Sequence, residues 1–157
     1  MKRLSLVGRM LNDPENLEKI EEKRITYPDD QIAFIDDLAP LFSDYLNKIP
    51  PPSRKIIFLF SRHGTKLSSM DIIRYSKLRE KVVTKCLSQL DKAGILERAE
   101  GGNWRLKNND LLRYIIVSHS GFSNWMKKKK RGTSGDIIDQ YIAISNRNYV
   151  TGLRPNE

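Results

Sequence analysis

A single cysteine, Cys86, is all the thiol that the 157-residue chain contains. The chain can therefore form no intramolecular disulfide, and nothing in it asks for an oxidising compartment. Long apolar runs are missing too: IIFLF at 56–60 is five residues, far short of a membrane span. The opening MKRLSLVGRML begins like a signal peptide, but its apolar part is too short and runs straight into the acidic DPENLEKIEEK. A cytoplasmic protein without membrane contact is expected. No GxxxxGK[ST] phosphate-cradling loop is present, because Val7-Gly8-Arg9 is followed by no second glycine or lysine at the needed spacing. The two histidines, His63 and His119, lie far apart in the chain and, with one cysteine, make no metal-ligand set. Asp29-Asp30 and Asp36-Asp37 have no nucleophile near them and read as surface or capping residues. Neither a cofactor nor an enzyme is expected.

What the chain does have is positive charge, unevenly placed. With 28 basic and 19 acidic side chains its formal net charge is +9. Residues 1–50 carry 7 basic and 10 acidic groups, residues 51–117 carry 14 and 6, and residues 118–157 carry 7 and 3. A basic field confined to the later part of a chain points to a polyanion, with nucleic acid the first candidate. An apolar share of 39% beside 30% charged residues allows a modest core.

The charge is concentrated around residues 67–96, LSSMDIIRYSKLREKVVTKCLSQLDKAGIL. Ser68 or Ser69 can cap a helix by accepting an orphan backbone N–H, and Ile72 and Ile73 give that helix an apolar edge. Tyr75-Ser76-Lys77 is expected to turn the chain into a second helix near Arg79. There Val83, Leu87 and Leu90 recur at helical spacing on one face, with Cys86 bordering them as a buried packing thiol. Arg79, Lys81, Thr84, Lys85, Ser88, Gln89 and Lys92 occupy the other sides. Gly94 stands where a left-handed cap is wanted. Upstream, residues 51–64 read as a helix entered through prolines and closed by Gly64. Downstream, residues 95–108 read as two short strands around Gly101-Gly102. Three helices followed by a glycine-tipped hairpin is the order of a winged helix, with its recognition helix at about 79–92 in the major groove and a wing at 97–107 on the backbone.

Those residues resemble one family. A helix opening after Pro-Pro, then LSSMDII, KVVTKCLSQLDKAGILER and WRLKNNDLLRYII, is similar to the carboxy-terminal winged-helix domain of archaeal and bacterial P-loop ATPases of the AAA-like, signal-transduction (STAND) class. In that family the wing leads into an Asp-Pro-Leu-Leu-Arg-like helix, and residues 109–114 look like it with the proline missing. The resemblance spans about residues 42–118. It implies a winged-helix fold and a place beside an ATPase, but the chain has no ATPase part.

Around this centre, residues 13–24 read as a surface helix capped by Asp13 with Pro14 first, anchored by Leu17 and Ile20. Residues 31–49 keep helical spacing, with Pro40 expected to break or kink the run into two helices. The second of these, 41–49, would pack on the winged helix and help it pair with another copy. Residues 110–122 read as a closing helix. The run Lys127, Lys128, Lys129, Lys130, Arg131 is either a solvated linker or a source of sequence-independent phosphate affinity. Residues 136–145 are expected to form a short helix docked on the chain or on a partner.

The sequence therefore divides into an acidic helical extension (1–50), a winged helix-turn-helix domain (51–122) and a basic linker with a short helix (123–157), mainly α throughout. The expected function is binding of double-stranded DNA in a regulatory or accessory, nucleoid-associated role, with a homodimer among the expected forms. Arg79, Lys81, Thr84, Lys85 and Ser88 would serve the major groove, Arg98, Arg105 and Lys107 the wing, and 127–131 the phosphates. Trp104 is expected to pack the wing rather than stack a base. Glu80, Glu97 and Glu100 work against phosphate contact. The alternative is a protein-interaction or assembly module, the detached carboxy-terminal region of a P-loop ATPase, that binds no DNA and has faces at 41–49 or 136–145.

Overall fold

The computed structural model describes residues 9–129 and 137–151, with side chains for 9–127 and 137–144. After residues 9–10, which are already helical, α1 (Pro14–Thr26) starts as proline chemistry dictates. Asp13 caps it, accepting the Glu15 N–H at 3.2 Å, and Pro14 occupies the first position, where a missing N–H costs nothing. Ile20 anchors α1 at 3% exposure, whereas Leu17, expected to do the same, is 43% exposed. After a turn, α2 (Gln31–Asn47) begins at Asp30, whose carboxylate takes the Ala33 N–H.

Pro40 does not split this helix: α2 is continuous across it. A proline inside a helix removes one hydrogen bond and costs about 3 kcal/mol. Here the acceptor left over is the Asp36 carbonyl, and both Asp36 and Pro40 lie on the exposed side of the helix. On the other side Phe34, Ile35, Leu38, Phe42, Tyr45 and Leu46 are buried on both sides of the proline and hold the two halves in line.

The basic region follows as α3 (Pro51–Arg62), β1 (Leu67–Ser68), α4 (Ser69–Ser76), α5 (Glu80–Lys92), β2 (Leu96–Arg98) and β3 (Asn103–Leu106). Between β2 and β3 a tight turn at Glu100–Gly102 places both Gly101 and Gly102 at positive φ, which is why the tip needs two glycines. The strands form an antiparallel sheet in the order β1-β3-β2. Leu67 pairs with Trp104, while Leu96, Glu97 and Arg98 face Leu106, Arg105 and Trp104. The strand β1 is not apparent from its two residues alone.

The start of α4 is a full capping box: Ser68 Oγ accepts the Asp71 N–H, and the Asp71 carboxylate accepts the Ser68 N–H. Its end lies one step later than the sequence suggests. Tyr75 and Ser76 are helical, and the turn is Lys77–Arg79, with Lys77 left-handed at φ 59°. Fully buried Ser76 shapes this corner by accepting the Leu78 N–H at 3.2 Å. Arg79 is the extended residue before α5 rather than its first turn. At the far end Gly94 takes φ +76°, ending α5.

The expected closing helix is two: α6 (Asn109–His119), capped by Asn108, and α7 (Phe122–Lys129), separated at Ser120-Gly121. The first part of the lysine run, Lys127–Lys129, thus belongs to the last turn of α7. The last helix, α8 (Ile137–Thr151), is longer than expected. Buried residues from Leu11 through Tyr141 make one contiguous apolar cluster. It takes in Phe42, Tyr45, Leu46 and Ile49 of the 41–49 stretch and Ile137, Ile138 and Tyr141 of α8, so the apolar residues of both suggested partner faces are turned onto the chain's own core. No helix among the described residues is long and apolar enough to cross a membrane.

Candidate nucleic-acid interface

The face of α5 opposite the core is an uncovered surface carrying Lys81, Lys85 and Lys92. Val83, Leu87 and Leu90 are buried, and Cys86 joins them at 7% exposure as a packing thiol. That orientation turns Lys81, Thr84, Lys85 and Ser88 outward, since they fall three and four residues apart on the other side of the helix. Lys92 continues the same stripe. A shallow depression along it is lined by α5 residues alone. No carboxylate among the described residues forms an ion pair with Arg79, Lys81, Lys85 or Lys92. Lys77 and Arg74, both exposed, carry the positive surface around the corner into α4. Glu80, exposed in the first turn where the helix dipole favours it, and Asp91, exposed in the last turn, are the negative charges that interrupt it on α5.

The hairpin cations are less free than the sequence suggests. Glu97 and Arg105 are cross-strand partners, and Arg105 Nε donates to Glu97 Oε2 at 2.7 Å. Arg98 faces Trp104, and its guanidinium lies 4.5 Å from the indole centre. Trp104 itself is 4% exposed and donates through Nε1 to Ser69 Oγ, so it fastens the hairpin to α4. Lys107 is exposed just past β3. Lys127 is exposed on α7, which packs on α6 and, through Phe122 and Trp125, on Tyr141 of α8; it is not carried by the α5 surface. The side chains of Lys128 and Lys129, and all of Lys130 and Arg131, lie outside the described residues.

An exposed pair such as Glu97–Arg105 contributes little to stability, typically below about 1 kcal/mol. Glu97→Gln should therefore leave the melting temperature nearly unchanged. If the hairpin meets phosphate, the change releases Arg105 and removes a repulsive charge, so duplex affinity should rise by about threefold to tenfold, roughly one counterion's worth. Fluorescence anisotropy with a labelled duplex reads this directly, and a fall in affinity would count against phosphate contact by the hairpin.

The acidic pairs have structural partners. Asp30 caps α2, and Asp37 accepts from the Tyr27 hydroxyl at 2.7 Å with Lys23 3.4 Å away. The Tyr27 hydrogen bond, followed by Lys23, holds the Asp37 carboxyl below its ordinary range. Asp36 is pushed the other way, by burial and then by Asp30 and Asp37. Among the described residues no group of three His, Cys, Asp or Glu side chains is placed to hold a metal.

The fold brings the two histidines to one place. Remote in sequence, His63 and His119 line one cleft of about 300 Å³ between α3, α4 and α6. Sequence spacing gives no hint of this, because it depends on how α6 crosses α3. No family model, curated protein or solved structure matches this chain.

Proposed function

We propose that the chain is a winged-helix protein that binds double-stranded DNA through the outer face of α5, in a regulatory or accessory role. The observation that carries this reading is the unpaired stripe of Lys81, Thr84, Lys85, Ser88 and Lys92 on a helix whose other face is fully buried. Cations at that spacing meet phosphates on either side of a major groove, and the short hydroxyls between them reach base edges. Two features of the fold support it. The order helix, strand, helix, helix, strand, strand and the arrangement β1-β3-β2 suit a winged helix. The acidic side chains of α1 and α2 sit apart from α5 in the chain and would keep a polyanion to one side.

In this reading α5 supplies most of the affinity and the hairpin less, because Arg105 and Arg98 are already engaged. The deciding experiment is a salt titration of binding to a labelled duplex. With about five phosphate contacts the log–log slope is about −4.5, a loss of roughly 500-fold between about 50 and about 200 mM salt. No binding at the low salt, or an affinity flat across the range, rejects the reading and favours a protein-interaction module.

A further inference from the structure

The cleft that brings the histidines together is lined by two cations and four aromatic rings, with Leu59. Lys55, Phe58, Leu59 and Arg62 lie on one side of α3 by helical spacing and form its floor. His63 at the end of α3 and Tyr75 of α4 make one wall, their rings stacked 4.0 Å apart and within 6° of parallel. The other wall is His119 at the end of α6, its ring 4.5 Å from that of Phe58. No carboxylate among the described residues lines the cleft. Arg62 is held in place, since its Nε donates to the His119 carbonyl at 3.2 Å, and its terminal amines remain as a fork of donors.

We propose that this cleft binds a small ligand carrying a phosphate on a flat ring, of the nucleoside monophosphate class. The Arg62 fork recognises a phosphate dianion, and Lys55, two turns earlier on the same face of α3, adds positive charge to the same cleft. His63–Tyr75 and Phe58–His119 are each packed ring on ring and half-buried, so a base would stack on the outer face of one of these pairs. The volume lies at the low end for small-molecule sites, which suits a mononucleotide better than a dinucleotide. Burial, and then the Arg62 cation, hold His119 below the ordinary histidine range, so its imidazole is largely neutral at neutral pH. A bound phosphate would offset Arg62 and raise it again. The other ionisable groups facing the cleft are Lys55, Arg62, His63 and Tyr75. The inference is independent of DNA binding by α5.

The chain has two histidines, so proton NMR of their ring C–H signals reads the cleft directly. Adenosine monophosphate should shift both signals and raise the His119 titration midpoint, while inorganic phosphate, lacking the ring, should need about tenfold more. Lys55→Glu with Arg62→Gln should weaken nucleotide binding at least about tenfold, or about 1.4 kcal/mol. Lys55→Glu alone, at an exposed position, should give a smaller loss in the same direction and covers the case in which the double variant fails to fold. Signals unmoved at about 10 mM nucleotide, where even a weak millimolar site would be mostly filled, overturn the proposal. So does unchanged affinity in the variants, or a response to duplex DNA but not to the mononucleotide.

Discussion

Reversing two charges, Lys81→Glu with Lys85→Glu, is expected to remove duplex binding almost entirely while leaving the protein as stable as before. Both side chains are exposed, and no ion pair among the described residues uses either. Glutamate is about as good a helix former as lysine, and a carboxylate at 81 sits in the first turn of α5, where the dipole favours it. Losing two phosphate contacts lowers affinity by about 10 to the power 1.8, roughly 60-fold at about 0.1 M salt, and shortens the log–log slope by about 1.8. The two new negative charges add repulsion, so the total should reach about 1,000-fold. The same reversals at Lys19 of α1 and Lys48 after α2 control for net charge, and should cost under about tenfold if distant charges are screened. Equal losses in both variants would show that the protein attracts DNA only as a basic particle. Arg79→Glu is the weaker choice, since Arg79 precedes α5 instead of riding on its outer face.

That α5 would carry such a surface could be read from the chain, because a helix repeats every three or four residues and Val83, Leu87 and Leu90 fix which side is buried. A capping serine at 68 or 69, which the structure places at 68, and the paired glycines at 101 and 102 were equally legible, each being a local requirement of backbone geometry. What escaped depends on pairing across the chain. The strand β1 exists only because Leu67 meets Trp104, and Arg105 is engaged only because the register sets it opposite Glu97. Pro40 misled for a similar reason: local propensity favours a break, and burial of residues on both sides of it overrides that preference. The cleft holding His63 and His119 is wholly a product of helix crossing, so no spacing rule could have found it.

Phe42→Ala is expected to be the most damaging single truncation, and its outcome bears on whether residues 1–50 are an appendage. Phe42 is fully buried in α2 and stacks on Tyr114 of α6, ring centres 5.4 Å apart. The helix α6 in turn packs on α3, the first helix of the basic region. Removing the ring takes away its transfer free energy and leaves a cavity that α2 and α6, both pinned by other contacts, can close only in part. The loss should be about 3–5 kcal/mol, a large share of the stability of a typical domain. For a chain of this size that lowers the melting temperature by about 10 °C or more. Both tryptophans, Trp104 and Trp125, lie far along the chain from Phe42, on β3 and α7. If α2 and the basic region share one core, tryptophan fluorescence and far-ultraviolet circular dichroism should lose their transitions together at the lowered temperature. If the prolines at 50–52 mark a real boundary, the fluorescence transition will stay near its original temperature while part of the helical signal melts early. The apolar cluster running unbroken from Leu11 to Tyr141 argues for the first outcome, and with it for α2 as part of the frame that holds α5 outward.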